Sequence, residues 1–107
     1  MAIWEQRTYT LLPGKMPEML EIYGRATYAR SREMLGDPTF VFSTEVGPLN
    51  QFITQVRYDS FEDRLARRAA FRATGDYRAY AELVRPMIRR QESKLMLPAP
   101  CFAADGG

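Results

Sequence analysis

Histidine is absent from the sequence, and cysteine occurs once, at Cys101. Without histidine the chain lacks both the usual general base near neutral pH and the commonest metal ligand, so histidine triads, histidine-ligated haem and histidine-based zinc sites are excluded. A single cysteine closes no internal disulfide, and Cys101, set in a proline-flanked tail, reads as an inert thiol. GxGxxG, Walker A and EF-hand spacings are missing, which leaves no local warrant for nucleotide or calcium, and no cofactor is expected. No stretch approaches the roughly 18 consecutive apolar residues of a membrane span, and the first residues lack the basic-then-apolar pattern of a secretory leader. The expectation is a cytoplasmic protein with no membrane partner. Excess charge of one sign is also small, at +2, too little to draw a polyanion by bulk attraction. Arg64, Arg67, Arg68 and Arg72, followed by Arg78, Arg85, Arg89 and Arg90, are interleaved with Glu62, Asp63, Asp76, Glu82 and Glu92. They read as solvated helix faces rather than a phosphate-tracking surface, and no nucleic-acid partner is expected.

What is present is 107 residues, 46% of them hydrophobic and 12% aromatic, enough for one domain and no more. A chain of this size removes only about two-thirds of its unfolded surface from water, so a face without cover inside the monomer tends to find it in a partner. Residues 1–98 are assigned to a single domain and 99–107 to a flexible C-terminal tail.

Residues 3–12 combine β-branched and aromatic types and stop at Pro13-Gly14, predicting a strand. Met16, Met19, Leu20, Tyr23 and Ala26 recur at helical spacing, with Pro17 in the first turn and the helix ending near Gly36. Residues 39–46 and 50–58 alternate and are joined through Gly47-Pro48-Leu49, predicting an antiparallel hairpin. Ser60 with Asp63 resembles a capping box and opens a helix to about Ala73. After Thr74-Gly75-Asp76 a second segment carries Tyr77, Tyr80, Ala81, Val84, Met87 and Ile88 at three-four spacing, and Pro86 is expected to bend it. Residues 92–97 read as a last strand. The order gives an α+β class, a ferredoxin-like βαββαβ pattern with an antiparallel four-stranded sheet.

Helices in such a layout cover one sheet face. Alternation assigns Phe40, Phe42 and Phe52 to one face and Trp4, Val41 and Ile53 to the other, so both carry large apolar groups. Leaving several of these on an open face is unfavourable. A homodimer packed sheet against sheet is therefore expected.

The candidate site residues come from strand alternation. Glu5, Arg7 and Tyr9 share one face of the first strand, and Asn50, Thr54 and Tyr58 share one alternation of the third. A buried charged pair must be partnered or face a wet cavity. An interfacial salt-bridge network and a ligand pocket both satisfy that requirement, and for Asn50 turn capping competes with a place in the pocket.

Several short motifs carry a resemblance. Glu5-x-Arg7-Thr8-Tyr9-Thr10-Leu11-x-Pro13-Gly14-Lys15, Gly47-x-Leu49-Asn50-Gln51, Tyr58-Asp59-Ser60-x-x-Asp63-Arg64 and Gln91-Glu92-Ser93-x-Leu95-x-x-Pro98, in that order, resemble the NIPSNAP family. The resemblance implies a dimeric α+β barrel fold and no settled activity. The fold's wider relatives include cofactor-independent monooxygenases, muconolactone-type isomerases and haem-degrading enzymes. Relatives often place a histidine near Thr54 and a tryptophan near Val56, and this chain has neither. The leading expectation is a small molecule bound between sheet and helices by Arg7, Tyr9, Asn50 and Tyr58. The alternatives are a cofactor-independent monooxygenase or isomerase acting on an aromatic or polyketide-like substrate, with a phenol or Glu5 as proton acceptor, and an interaction protein using its arginine-rich helices.

Overall fold

The computed structural model describes residues 1–106. Strand β1 (Ile3–Leu11) leads through Pro13-Gly14 into helix α1 (Met16–Ile22). A π-helical turn at Tyr23–Thr27 carries the helix without interruption into α2 (Tyr28–Met34). Gly36 then passes tightly under the sheet. A Cβ there would lie 2.7 Å from the Arg57 carbonyl oxygen, so only glycine fits this close approach. Strands β2 (Thr39–Ser43) and β3 (Gln51–Tyr58) follow as the expected hairpin. Helix α3 (Phe61–Arg72) starts where the Asp63 amide donates to Ser60 Oγ at 3.0 Å, the cap read from sequence. Helix α4 (Gly75–Val84) is capped likewise by Thr74.

The strand order is β2-β3-β1-β4, with every neighbouring pair antiparallel, and β4 spans Ile88–Met96. This is the ferredoxin-like α+β fold, with α1 to α4 on one face. Pro86 acts differently from expectation. It does not bend a helix running on to Ile88; α4 stops at Val84, a 3₁₀ turn covers Arg85–Met87, and β4 begins at once. The physical reason is the sheet. The Leu12 amide donates to the Met87 carbonyl at 2.9 Å and Leu11 pairs with Ile88, so the chain gains strand bonds where proline had already removed a helical one. The fourth strand is accordingly four residues longer at its start than the 92–97 reading.

The face assignment is also corrected. Pairing sets Phe42 opposite Ile53, Phe40 opposite Gln55 and Trp4 opposite Arg57, so Trp4, Phe40, Phe42 and Ile53 share the outer face. Phe52 and Val41 belong to the helix-covered face, where Phe52 is fully buried. On the outer face the Trp4 and Phe40 rings stack with centroids 5.8 Å apart, and Phe40 and Phe42 stay 43% and 50% exposed. The C-terminal segment read as flexible holds one helical turn, α5 (Pro100–Ala104), and its Phe102 ring lies 6.2 Å from that of Trp4. Gly107, the end of that segment, lies outside the described residues. Among the described residues no helix is long and apolar enough to cross a membrane.

Between sheet and helices the core divides. One cluster gathers Leu11, Met19, Tyr23, Phe52, Val84 and Met87, and the other Ile3, Leu35, Val56, Tyr58 and Phe71.

Candidate functional site

A cavity of about 350 Å³ opens between these two clusters. Its floor is the covered sheet face, from which alternate positions of β1 and β3 present Arg7, Tyr9, Phe52 and Thr54. Tyr23, Thr27 and Ser31 enter from the first helical stretch, Tyr23 and Thr27 from the π turn itself. The three stand four residues apart and so share one face of the helical stretch. From α3 come Arg68, Phe71 and Arg72, and from α4 Tyr77 and Tyr80.

Six of the lining residues are aromatic, Tyr9, Tyr23, Phe52, Phe71, Tyr77 and Tyr80. The rings form an arc from Phe52 to Tyr23 at 5.0 Å, Tyr23 to Tyr80 at 5.9 Å, Tyr80 to Tyr77 at 6.4 Å, and Tyr77 to Phe71 at 5.1 Å. Burial pushes the Tyr23 hydroxyl up to about 12, although a hydrogen bond with Ser31 pulls the other way. Tyr80 is raised as well, by burial and by the neighbouring phenols of Tyr9, Tyr23 and Tyr77. These phenols therefore stay neutral donors through the physiological range.

The polar end is built around Glu5, 1% exposed on β1. Its Oε2 accepts from Arg64 Nη2 at 2.7 Å, from Ser93 Oγ at 2.7 Å and from Arg7 Nη1 at 3.5 Å. Arg68 Nη1 stands 3.7 Å from Oε1. Burial pushes the Glu5 carboxyl up, yet the hydrogen bonds from Arg64 and Ser93 and the charges of Arg68 and Arg7 outweigh it, and the group settles below its ordinary value. Arg7 in turn donates from Nε to the Tyr9 hydroxyl at 2.8 Å. Its guanidinium is thus clamped between a carboxylate and a phenol.

The structure brings Arg7, Tyr9 and Thr54 to the cavity wall. Glu5 lies behind Arg7 and holds it in place. The sequence also put Asn50 and Tyr58 in the lining, and neither reaches it. Asn50 sits in the hairpin connection at φ 62°, a left-handed conformation that asparagine tolerates, and its carbonyl accepts from the Leu11 amide at 2.7 Å. Tyr58 is buried with Ile3, Leu35 and Phe71, and its raised hydroxyl reflects burial, countered by the charge of Arg68. Sequence reading missed Tyr23, Tyr77, Tyr80 and Arg68. A usable signal for Arg68 was its spacing of four from both Arg64 and Arg72, which sets the three on one face of α3.

The NIPSNAP family model matches residues 4–102 of the chain. The chain is similar to a NipSnap homologue from Dictyostelium discoideum, with 39% identity over 62 residues, which is 58% of this chain and 27% of that protein. The match thus spans about a quarter of that relative's length. A NIPSNAP-like domain protein from Burkholderia xenovorans superposes with a TM-score of 0.88 at 33% identity, over 92% of this chain and 86% of that one. An antibiotic biosynthesis monooxygenase superposes with a TM-score of 0.71 at 16% identity, over 92% of this chain and 99% of that one, a likeness of fold alone.

Proposed function

The chain belongs to the NIPSNAP family, and from that premise we propose that it binds a small organic molecule in the cavity between sheet and helices, working as a homodimer joined through the outer sheet face. The observation that carries this reading is the combination of an open space of about 350 Å³ with a guanidinium, Arg7, fixed on its wall by Glu5 and Tyr9. That volume falls at the lower end of ordinary small-molecule sites, which typically pair apolar walls with a few placed polar groups. Arg7 holds a polar group of the ligand, Tyr9 and Thr54 orient it, and the aromatic arc covers its body. Glu5, already held by three guanidiniums and Ser93, serves as the anchor for Arg7 and not as a proton acceptor. Homodimer formation rests on the aromatic outer face around Trp4, Phe40 and Phe42, whose burial contributes roughly 1.5–3 kcal/mol per large side chain.

A fragment screen followed by backbone amide chemical shifts tests the binding site. Shifts clustered at Arg7, Tyr9, Phe52 and Thr54 are expected. Shifts confined to the outer surfaces would sink the proposal.

A further inference from the structure

Charge around Glu5 does not balance. Arg7, Arg64 and Arg68 all turn to this one carboxylate, so three cations share one anion. The cavity lining repeats the imbalance, since it includes Arg7, Arg68, Arg72 and Arg85 and, among the described residues, no aspartate or glutamate. Arg68 is the least satisfied of the set. Its side chain is 8% exposed, its Nη1 stops 3.7 Å from Glu5, beyond hydrogen-bond reach, and its Nε finds no acceptor at hydrogen-bond geometry, with the buried Tyr58 hydroxyl as its neighbour. A desolvated guanidinium with an unfilled donor is costly, and an acceptor entering the cavity would relieve that cost. Tyr9 offers a second donor on the same cavity lining, because its oxygen already accepts from Arg7 Nε and leaves the phenolic proton for another partner. Arg72 and Arg85, exposed on the same lining, form no ion pair among the described residues and so leave the entrance positive.

Resting on the cavity reading above, we propose that the ligand class is an organic monocarboxylate with a flat unsaturated or aromatic body. The carboxylate takes Arg68, with Arg7 as a further positive charge and the Tyr9 hydroxyl as a further donor on the same lining. A carboxylate suits this arrangement because its single negative charge is what the excess of guanidiniums on the lining lacks, and an ionised acceptor makes the stronger hydrogen bond to Arg68. The body packs against Tyr23, Phe52, Tyr77 and Tyr80, whose rings touch one another at centroid separations of 5.0–6.4 Å and so form one continuous aromatic wall for edge and face contacts. Arg72 and Arg85 raise the capture rate without contributing the final bonds.

The experiment titrates the intact protein with 2-naphthoate and, separately, with its neutral counterpart 2-naphthamide, recording arginine side-chain Nε–H signals together with the backbone amides. Naphthoate is expected to bind about tenfold more tightly or better, and to shift the Arg68 Nε–H signal while naphthamide leaves it in place. Arg68→Gln should erase the preference, and Arg68→Lys should restore part of it. Should Arg68→Gln fail to fold, the wild-type affinity ratio and the Nε–H shift decide the matter by themselves. Equal binding of acid and amide at the cavity overturns the carboxylate assignment and leaves the cavity reading intact. Tighter binding of 2-naphthyl phosphate also overturns it, in favour of a phosphoryl head group. Silence from all three probes at millimolar concentration removes the cavity reading itself.

Discussion

Arg64 Nη2 donates to Glu5 Oε2 at 2.7 Å and so ties the start of α3 to the first half of β1. The two residues stand 59 positions apart, and the bond anchors the helix that also delivers Arg68 and Phe71 to the cavity. Glu5 is therefore the fixed point on which the polar end of the site is assembled.

Replacing it tests that role. Glu5→Gln should lower stability by about 3–5 kcal/mol in denaturant unfolding at neutral pH, because three guanidiniums lose their common counter-charge. The pH dependence has a definite sign. The native carboxyl sits below its ordinary value of 4.5. Its contribution is therefore in full force above the unfolded value, and it fades as pH falls through the depressed native one. The stability gap between wild type and Glu5→Gln should narrow on acidification from about pH 5 downward. A gap that stays constant across that range would contradict this reading of the cluster.

The outer sheet face leads to a second expectation. Phe42 is half exposed on the face that carries the Trp4–Phe40 stack. Wild-type protein should sediment at twice the 12.3 kDa chain mass, and Phe42→Glu should shift it to the monomer while leaving the far-ultraviolet spectrum unchanged. A wild-type monomer at micromolar concentration would remove the dimer from the proposal.

Much of the fold was legible, and the failures have physical causes. Short-range signals sufficed for β1, the β2–β3 hairpin and the Ser60 cap, since each depends on neighbours in sequence. The face occupied by Phe40 and Phe42 was misread because alternation fixes faces only within one strand. Pairing of Phe42 with Ile53 decides the relation between strands, and that register is a tertiary fact. Arg68 looked like one more solvated arginine in a charged run. Only the approach of β1 to α3 shows that it is buried while Arg67, its neighbour, bonds to Asp63 near the surface. The π turn that aims Tyr23 and Thr27 has no signature in residue spacing, because an amphipathic helix with one extra residue still scores as a helix.

Asn50 offers a check on that division of roles. With φ at 62°, Asn50→Gly should change stability by no more than about 0.5 kcal/mol, whereas Asn50→Val should cost about 1–2 kcal/mol. Neither should alter binding of any cavity ligand. Thermal melts and titrations of both variants provide the test, and a binding defect in Asn50→Gly would return this residue to the site.

The central claim is that the space between sheet and helices is a ligand site, and plugging it is the most direct test. Ala81, half-buried on α4, lines the cavity, and Ala81→Phe adds a ring there while leaving Arg7, Tyr9 and Glu5 unsubstituted. Titration of wild type and Ala81→Phe with the same cavity-binding fragment should show affinity falling about tenfold or more in the plugged variant, with its melting temperature preserved. Unchanged affinity in a folded Ala81→Phe protein would mean that the fragment binds elsewhere and would contradict the account.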